Sequence, residues 1–264
     1  MCVYIAGMEV IMVFDEYAEY YDLLYKDKDY VAEANYIDGI LQKYATGCQK
    51  ILELGCGTGK HAELLSHKGY EITGIDMSED MLKKACIRAE NNNSLSFLHS
   101  NIQEFSLGRK YDAVTAWFHV MSYQNTYEEF LKVLTNAYNH LKNGGVFVFD
   151  CWYGPAVLLQ VPERRIKRLE NERTRVTRIA EPILRENDNV VEVHYDMFIE
   201  NKSALGGDYA IKEIHEQHNM RYFFVDEVRL LVEKAGFSFI EAFEFMTDKP
   251  LGRDTWGACF VVRK

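Results

Sequence analysis

The sequence has no excess of positive charge, no closely spaced cysteine pairs and no long apolar runs, and each absence excludes a class of function. With 30 Lys and Arg against 40 Asp and Glu, the formal net charge is −10. A non-specific nucleic-acid binder needs a basic face, so this balance argues against one, although a single local patch could still read a tRNA or protein substrate. No apolar run approaches the roughly 20 residues of a membrane-spanning helix. The six cysteines (Cys2, Cys48, Cys56, Cys86, Cys151, Cys259) are scattered without a C-x-x-C pair. That is neither a zinc pattern nor a disulfide framework, and it suits a reducing cytoplasm. Residues 1–12 lack the basic region of a signal peptide and are expected to be flexible, with Met8 and Met12 as alternative starts to Met1. At 264 residues and 48% hydrophobic, the chain can bury a sizeable core, as one elaborated domain or two small ones.

Two nucleotide-binding fingerprints are missing as well. The run Lys50-Ile51-Leu52-Glu53-Leu54-Gly55-Cys56-Gly57-Thr58-Gly59 is an apolar strand that ends in glycines at alternate positions. A dinucleotide site would need G-x-G-x-x-G, but the third glycine is replaced by Lys60, and the phosphate loop G-x-x-x-x-G-K-[ST] is absent too. What stands here is E-x-G-x-G-x-G, followed by a second apolar run that ends in Asp76, 17 residues after Gly59. Strand, glycine turn, helix, strand and acid form one half of a nucleotide-binding α/β unit. The turn lets the backbone approach a ligand at a helix N-terminus, and the acid reaches two ribose hydroxyls.

Apolar periodicity extends this unit along the chain. Residues 13–45 read as helical and are dense in tyrosine, including Tyr17, Tyr20, Tyr21, Tyr25, Tyr30 and Tyr36. Strands are expected at 49–54, 70–76, 95–98, 111–117 and 146–151, separated by helices at 59–68, from Ser78 to about Asn91, and through Tyr127, Phe130, Leu134 and Leu141. The last strand of this set, Val146 to Cys151, is apolar except for Asp150. A helix at 225–235 and strands at 237–245 and 256–262 close the chain. The alternation predicts an α/β doubly wound sheet with its ligand at the carboxyl ends of the strands. Between these parts, 174–183, 190–199 and 209–224 read as long strands joined by polar turns at 186–189 and 203–208. They predict an antiparallel β-rich insertion after the fifth strand, placed to set substrate choice or to act as a dimerisation arm. The expected parts are a flexible N-terminus (1–12), a cofactor-binding core with lid helices (13–151), the insertion (152–224) and the end of the core (225–264).

The glycine motif with Glu53 and Asp76 resembles motif I of class I S-adenosylmethionine-dependent methyltransferases. That resemblance implies a Rossmann-like, seven-stranded methyltransferase sheet and S-adenosylmethionine as cofactor. Gly55, Gly57 and Gly59 would neighbour its methionyl end, with Glu53 supporting the turn. Asp76 would take the ribose hydroxyls, Met77 the adenine face, and Asn101 and Ile102 the adenine edge; the family often has an acid where Asn101 stands. Trp117 to Tyr123 follows the fourth strand, where aromatic and polar side chains suit a wall beside a sulfonium. His119 and Tyr123 are candidates to move a proton. His194 and His218 lie in the inserted strands, and the alternation leaves open which faces the cleft. No metal is expected.

The layout further resembles bacterial N-methyltransferases of nucleotide-linked amino sugars. The resemblance rests on Tyr17-Ala18-Glu19-Tyr20-Tyr21-Asp22-Leu23-Leu24-Tyr25, Lys28-Asp29-Tyr30, Cys56-Gly57-Thr58-Gly59-Lys60-His61, Phe149-Asp150-Cys151-Trp152, Val193-His194-Tyr195 and Gly252-Arg253. It implies a thymidine-diphosphate amino sugar as acceptor, flanked at its amine by Tyr25 and Tyr123, where the subgroup has a histidine in place of Tyr123. Trp152, Arg165, His194 and Arg253 are the candidate substrate residues. Arg165 belongs to the basic run Arg164-Arg165-Ile166-Lys167-Arg168, which suits a diphosphate anchor. The alternatives are N- or O-methylation of another metabolite and a non-catalytic S-adenosylmethionine binder. The chain lacks an N/D-P-P-Y/F motif after the fourth strand, which argues against amino methylation of bases. The expected partners are therefore a small-molecule substrate and a second copy in a homodimer, with no nucleic acid and no membrane.

Overall fold

The computed structural model describes residues 3–4, 17–202 and 211–264. The expected flexible segment at 1–12, apart from Val3–Tyr4, and the expected turn at 203–208 lie outside the described residues.

In chain order the elements are β1 (Val3–Tyr4), α1 (Tyr17–Leu24), α2 (Tyr30–Tyr44), β2 (Lys50–Leu54), α3 (Lys60–Ser66), β3 (Glu71–Asp76), α4 (Glu79–Ala89), β4 (Leu95–His99) and β5 (Tyr111–Ala116). They continue with α5 (Tyr127–His140), β6 (Leu141–Tyr153), α6 (Gly154–Gln160), β7 (Arg165–Glu170), β8 (Thr174–Arg185), β9 (Val190–Asn201), β10 (Ile211–Phe223), α7 (Val225–Lys234), β11 (Ser238–Glu244) and β12 (Gly257–Arg263). Helix starts follow local chemistry. The Asp29 carboxylate accepts the Ala32 N–H at 2.8 Å and opens α2. Ser78 caps α4 through the Met81 N–H at 3.3 Å, and Thr126 and Glu129 form a reciprocal capping box at α5.

Strands β4, β3, β2, β5 and β6 pair in parallel, and β12 then runs antiparallel between β6 and β11. This is the expected seven-stranded sheet, to which β1 adds a short parallel edge beside β4. The chain leaves β2 first toward β3 and later returns to place β5 on its other side. The loops after β2 and β5 therefore diverge at their carboxyl ends and open a cleft between them. Both faces of the sheet are covered. One carries Phe130, Val133 and Leu134 of α5 with Val228 of α7, the other Ile37 and Leu41 of α2 with Leu82 and Ala85 of α4. No helix among the described residues is long and apolar enough to cross a membrane.

The insertion is an antiparallel sheet in the order β10, β9, β8, β7. It continues the central sheet, because Tyr222 and Phe223 of β10 pair in parallel with Trp152 and Tyr153 of β6. The structure adds detail to the sequence reading. Among the described residues, the helical stretch expected at 13–45 is α1 and α2, with Tyr25 to Asp29 between them. The basic run expected as a diphosphate anchor lies, from Arg165 on, in the edge strand β7, where lysines and arginines also blunt further pairing. Helix α6, short and opened by Pro155, was not anticipated. Cys48, Cys56, Cys151 and Cys259 are free thiols, whereas Cys86 is disulfide-bonded, which the scattered spacing did not suggest.

Candidate functional site

The floor of the cleft is the turn from β2 to α3. Gly55 and Gly59 have φ of +67° and +73°, and a Cβ on them would lie 2.5 Å from Val120 and 2.8 Å from Phe97. Only glycine fits both the backbone and the space there. A Cβ on Gly57 would instead meet nothing within 4 Å, so the open side of the turn is at its centre. Asp76, at the tip of β3, accepts the Gly57 N–H at 2.7 Å and the Ser78 N–H at 2.9 Å. Burial raises its pKa, while the bonds from Ser78 and Gly57 oppose the rise. Asp22 of α1 bridges to the same turn, accepting from Thr58 Oγ1 at 3.3 Å and pairing with Lys60 at 3.1 Å and Arg88 at 3.5 Å. Helix α1 is thus tethered across the glycines.

Glu53 sits behind the turn at 2% exposure, and its Oε2 is buried without a hydrogen-bond partner. Burial first, and then the negative charge of Asp76, push its pKa up to about 8, with Lys28 opposing. A buried acid with an orphaned oxygen, beside an open glycine turn and a second acid, suits a ligand that carries both a cationic amine and hydroxyls. Beside Asp76, His99 Nε2 lies 2.8 Å from the Met77 carbonyl, and Asn101 Oδ1 accepts the Gln103 N–H at 2.9 Å. The Asn101 carbonyl oxygen therefore shapes its own turn, while half-buried Ile102 packs against the core.

The opposite wall is the loop after β5. Phe118 and His119 are both left-handed, with φ of 64° and 65°. Each such residue costs on the order of 1–3 kcal/mol, so the surrounding structure must impose it. Here the agent is Asp150, fully buried on β6. It accepts the His119 N–H at 3.1 Å and lies 2.6 Å from His119 Nδ1. Tyr25 packs edge-on to Phe118 at 5.2 Å, and the Lys28 ammonium rests 3.4 Å above the Phe118 ring and 3.0 Å from Glu33. Burial lowers the Lys28 pKa, and Glu33 opposes this. Trp117 was expected in this wall. It is instead 2% exposed and packed in the core near Phe245, so Phe118 and His119 carry the aromatic lining.

The inserted sheet forms the far side. Its register puts Arg165, Lys167, Arg178, Tyr195, Glu216 and His218 on the face that packs against α1 and Tyr123. The Tyr123 hydroxyl lies 2.8 Å from His218 Nδ1, and Tyr195 meets the same ring edge-on at 4.8 Å. Tyr25 and Asp76 are within electrostatic reach of Tyr123. His194 faces the other way, 2.6 Å from Glu192. Successive strand residues alternate between faces, so His218, and not His194, is the inward histidine. Trp152 closes the end of β6, edge-on to His119 at 6.2 Å and to Trp256 at 6.1 Å. Arg165 and Arg253 are exposed, the latter in the loop between β11 and β12. Sequence reasoning placed Phe118 in this wall within the run Trp117 to Tyr123, but gave Asp22 and Lys28 no role of their own. Asp150 was visible as the lone acid of an apolar strand.

Comparison with known proteins agrees with this geometry. A methyltransferase-domain family profile matches residues 51–145. Over 185 residues the chain is 32% identical to the dTDP-3-amino-3,4,6-trideoxy-alpha-D-glucopyranose N,N-dimethyltransferase of Streptomyces venezuelae, covering 68% of this chain and 75% of that protein. Over 240 residues it is 28% identical to the dTDP-3-amino-3,6-dideoxy-alpha-D-glucopyranose N,N-dimethyltransferase of Streptomyces fradiae, covering 90% and 88%. Among solved structures, an S-adenosylmethionine-dependent methyltransferase from Clostridium acetobutylicum shares the fold. Its TM-score is 0.77 at 21% identity, over 94% of this chain and 97% of that one.

Proposed function

This chain belongs to the S-adenosylmethionine-dependent methyltransferases, and from that premise we propose that it methylates the amine of a sugar carried on a nucleoside diphosphate. The supporting observation is that the likeness to amino-sugar dimethyltransferases reaches 90% of the chain, and so includes the inserted strands as well as the glycine turn. Bound S-adenosylmethionine supplies a methyl group on a positively charged sulfur, which the acceptor's lone pair takes as the C–S electron pair stays on sulfur. Little covalent chemistry is left to the protein, which must position both partners and exclude water.

In this reading residues 13–151 and 225–264 hold the cofactor. Gly55, Gly57, Gly59 and Glu53 take its methionyl end, Asp76 the ribose, and Met77, Asn101 and Ile102 the adenine, with Trp117 backing the wall from the core. Residues 152–224 hold the acceptor. Tyr25, His119 and Tyr123 stand at the amine, Trp152 at the sugar, and Arg165 and Arg253 at the diphosphate. The net charge of −10 supports a small-molecule acceptor over a nucleic acid. Both ligands are soluble metabolites, which suits the cytoplasm, and the outward face of the insertion is offered for a homodimer that light scattering would detect.

The direct test incubates the purified protein with S-adenosylmethionine and thymidine-diphosphate amino sugars and follows the methylated product by mass spectrometry. Turnover of hydroxyl acceptors with none of amino sugars would reject the reading. Two substitutions refine it. Asp76→Ala is expected to weaken S-adenosylhomocysteine binding by about 1.5–3 kcal/mol, because charge-assisted bonds to hydroxyls are lost. Calorimetry with unchanged affinity would remove Asp76 from the ribose site. Tyr25→Phe and His119→Asn are each expected to lower kcat/KM only about tenfold to a hundredfold, through lost positioning. A collapse beyond about a thousandfold in one of them would mark an essential base and point to a hydroxyl acceptor.

A further inference from the structure

We propose that Lys28 binds the carboxylate at the methionyl end of the cofactor, completing with Glu53 a site for an amino-acid zwitterion; this rests on the cofactor placement proposed above. Lys28 lies in the segment between α1 and α2, and its side chain is 11% exposed. Aromatic rings and a carboxylate surround its ammonium. The nitrogen lies 3.4 Å from the centre of the Phe118 ring, in the wall that follows β5, and 4.7 Å from that of Tyr30, at the start of α2. Glu33 Oε2 stands 3.0 Å away, and the same oxygen is 2.7 Å from His61 Nε2. The contact with Glu33 is an ion pair without an aligned hydrogen bond, so Lys28 Nζ is buried with no hydrogen-bond acceptor among the described residues.

A buried ammonium with hydrogens left to give is costly unless a ligand accepts them. The matching orphan is Glu53 Oε2, and the two do not bond to each other. They are close enough for Lys28 to lower the Glu53 pKa, against burial and Asp76. One donor and one acceptor of opposite charge thus stand around the same glycine turn. A ligand with an ammonium and a carboxylate on one carbon satisfies both, the ammonium at Glu53 and the carboxylate at Lys28. Charge excludes the reverse arrangement. Other cations near the turn are already engaged. Lys60 is held by Asp22, and Arg88 by Asp22 and Glu63. His61 commits Nε2 to Glu33, and burial lowers its pKa while Glu33 opposes. Burial also lowers the Lys28 pKa, with Glu33 opposing, and a bound carboxylate would oppose it further. The placement has a consequence for the acceptor. Tyr25 packs on the same Phe118 ring, and its carbonyl accepts the Lys28 N–H at 3.1 Å. A cofactor tail held by Lys28 therefore also steadies the segment that carries Tyr25 to the amine.

Calorimetry with three adenosine ligands tests this. S-adenosylhomocysteine carries both the amine and the carboxylate, its decarboxylated analogue only the amine, and methylthioadenosine neither. Lys28→Met keeps the stem and removes the charge. It should weaken S-adenosylhomocysteine about tenfold to a hundredfold and leave the other two ligands within about twofold. The native protein should prefer S-adenosylhomocysteine to the decarboxylated analogue by a similar factor, and that preference should vanish in Lys28→Met. Lys28→Arg keeps the charge and should restore most of it. Equal weakening of all three ligands would make Lys28 a structural pin for Phe118 and overturn the proposal, as would unchanged affinity for S-adenosylhomocysteine. Should Lys28→Met fail to fold, Lys28→Gln takes its place with the same expected pattern. The native protein also decides the matter without any variant: equal affinity for S-adenosylhomocysteine and its decarboxylated analogue overturns the proposal. Native protein that binds none of the three ligands would overturn the cofactor placement itself, and the proposal with it.

Discussion

Arg221→Met should destabilise the protein by about 3–5 kcal/mol, the usual result of stripping one partner from a buried ion pair. Arg221 is 7% exposed on β10 and pairs with Glu227 at 2.9 Å. The same guanidinium donates to the carbonyls of Asn125 at 2.9 Å and Asp188 at 3.4 Å and lies 4.6 Å from the Tyr127 ring. One side chain therefore joins the start of α5, the β8–β9 turn and α7 to the strand that carries His218. Methionine fills the stem's volume but leaves a carboxylate and two carbonyls without their donor. Glu227 has a second duty, since its Oε2 accepts the Phe224 N–H at 3.2 Å and opens α7. Glutamine at 227 can still accept that bond and carries no charge. The double variant Arg221→Met/Glu227→Gln should therefore recover more than half of the loss. Denaturant unfolding measures both; a single-variant cost below about 1 kcal/mol would show that the pair contributes no more than a surface bridge.

The sequence makes some of this legible and hides the rest for physical reasons. The glycine turn could be read because its constraints are local: a strand end, a positive φ and a helix start lie within ten residues. The parallel strands could be read because burial on both faces leaves them almost wholly apolar. That same burial hid the direction of Trp117, since a strand apolar on both faces gives no alternation to follow. Strand β7 was missed because an edge strand solvates one side and fills it with charge. The inward histidine was open to inference. Val191, Val193, Tyr195, Met197 and Ile199 alternate with Glu192, His194 and Asp196, which already turns His194 outward. On β10, His218 and Glu216 share parity with Ile214, Met220 and Tyr222. Lys28 and Asp22 could not be placed, because the packing of α1 over the glycine turn rests on contacts between segments far apart in the chain.

Glu53→Gln should act in opposite directions on stability and on ligand binding. Glu53 lies fully buried at the end of β2, where burial and the charge of Asp76 hold its pKa near 8, against an ordinary value of 4.5. Between those values the folded chain keeps a proton that the unfolded chain releases. The contribution of this group to stability is therefore complete below about pH 4.5, falls as the pH rises, and is lost above about pH 8. Glutamine copies the shape of the protonated acid and does not titrate. The variant should match the native protein near pH 4.5, exceed it by about 2–3 kcal/mol near pH 7, and exceed it by about 3–5 kcal/mol near pH 9. Binding runs the other way. In the proposed reading the orphaned Oε2 awaits the cofactor's ammonium, which favours the ionised acid, so binding below pH 8 expels the Glu53 proton and tightens as the pH rises. Glu53→Gln should weaken S-adenosylmethionine binding by about 1.5–3 kcal/mol and abolish the proton release that calorimetry detects in buffers of different ionisation enthalpy. Stability curves that stay parallel from pH 5 to pH 9 would show that Glu53 is already ionised in the empty site. A variant that is stabilised yet binds as tightly as the native enzyme would keep the buried proton but move the ammonium elsewhere.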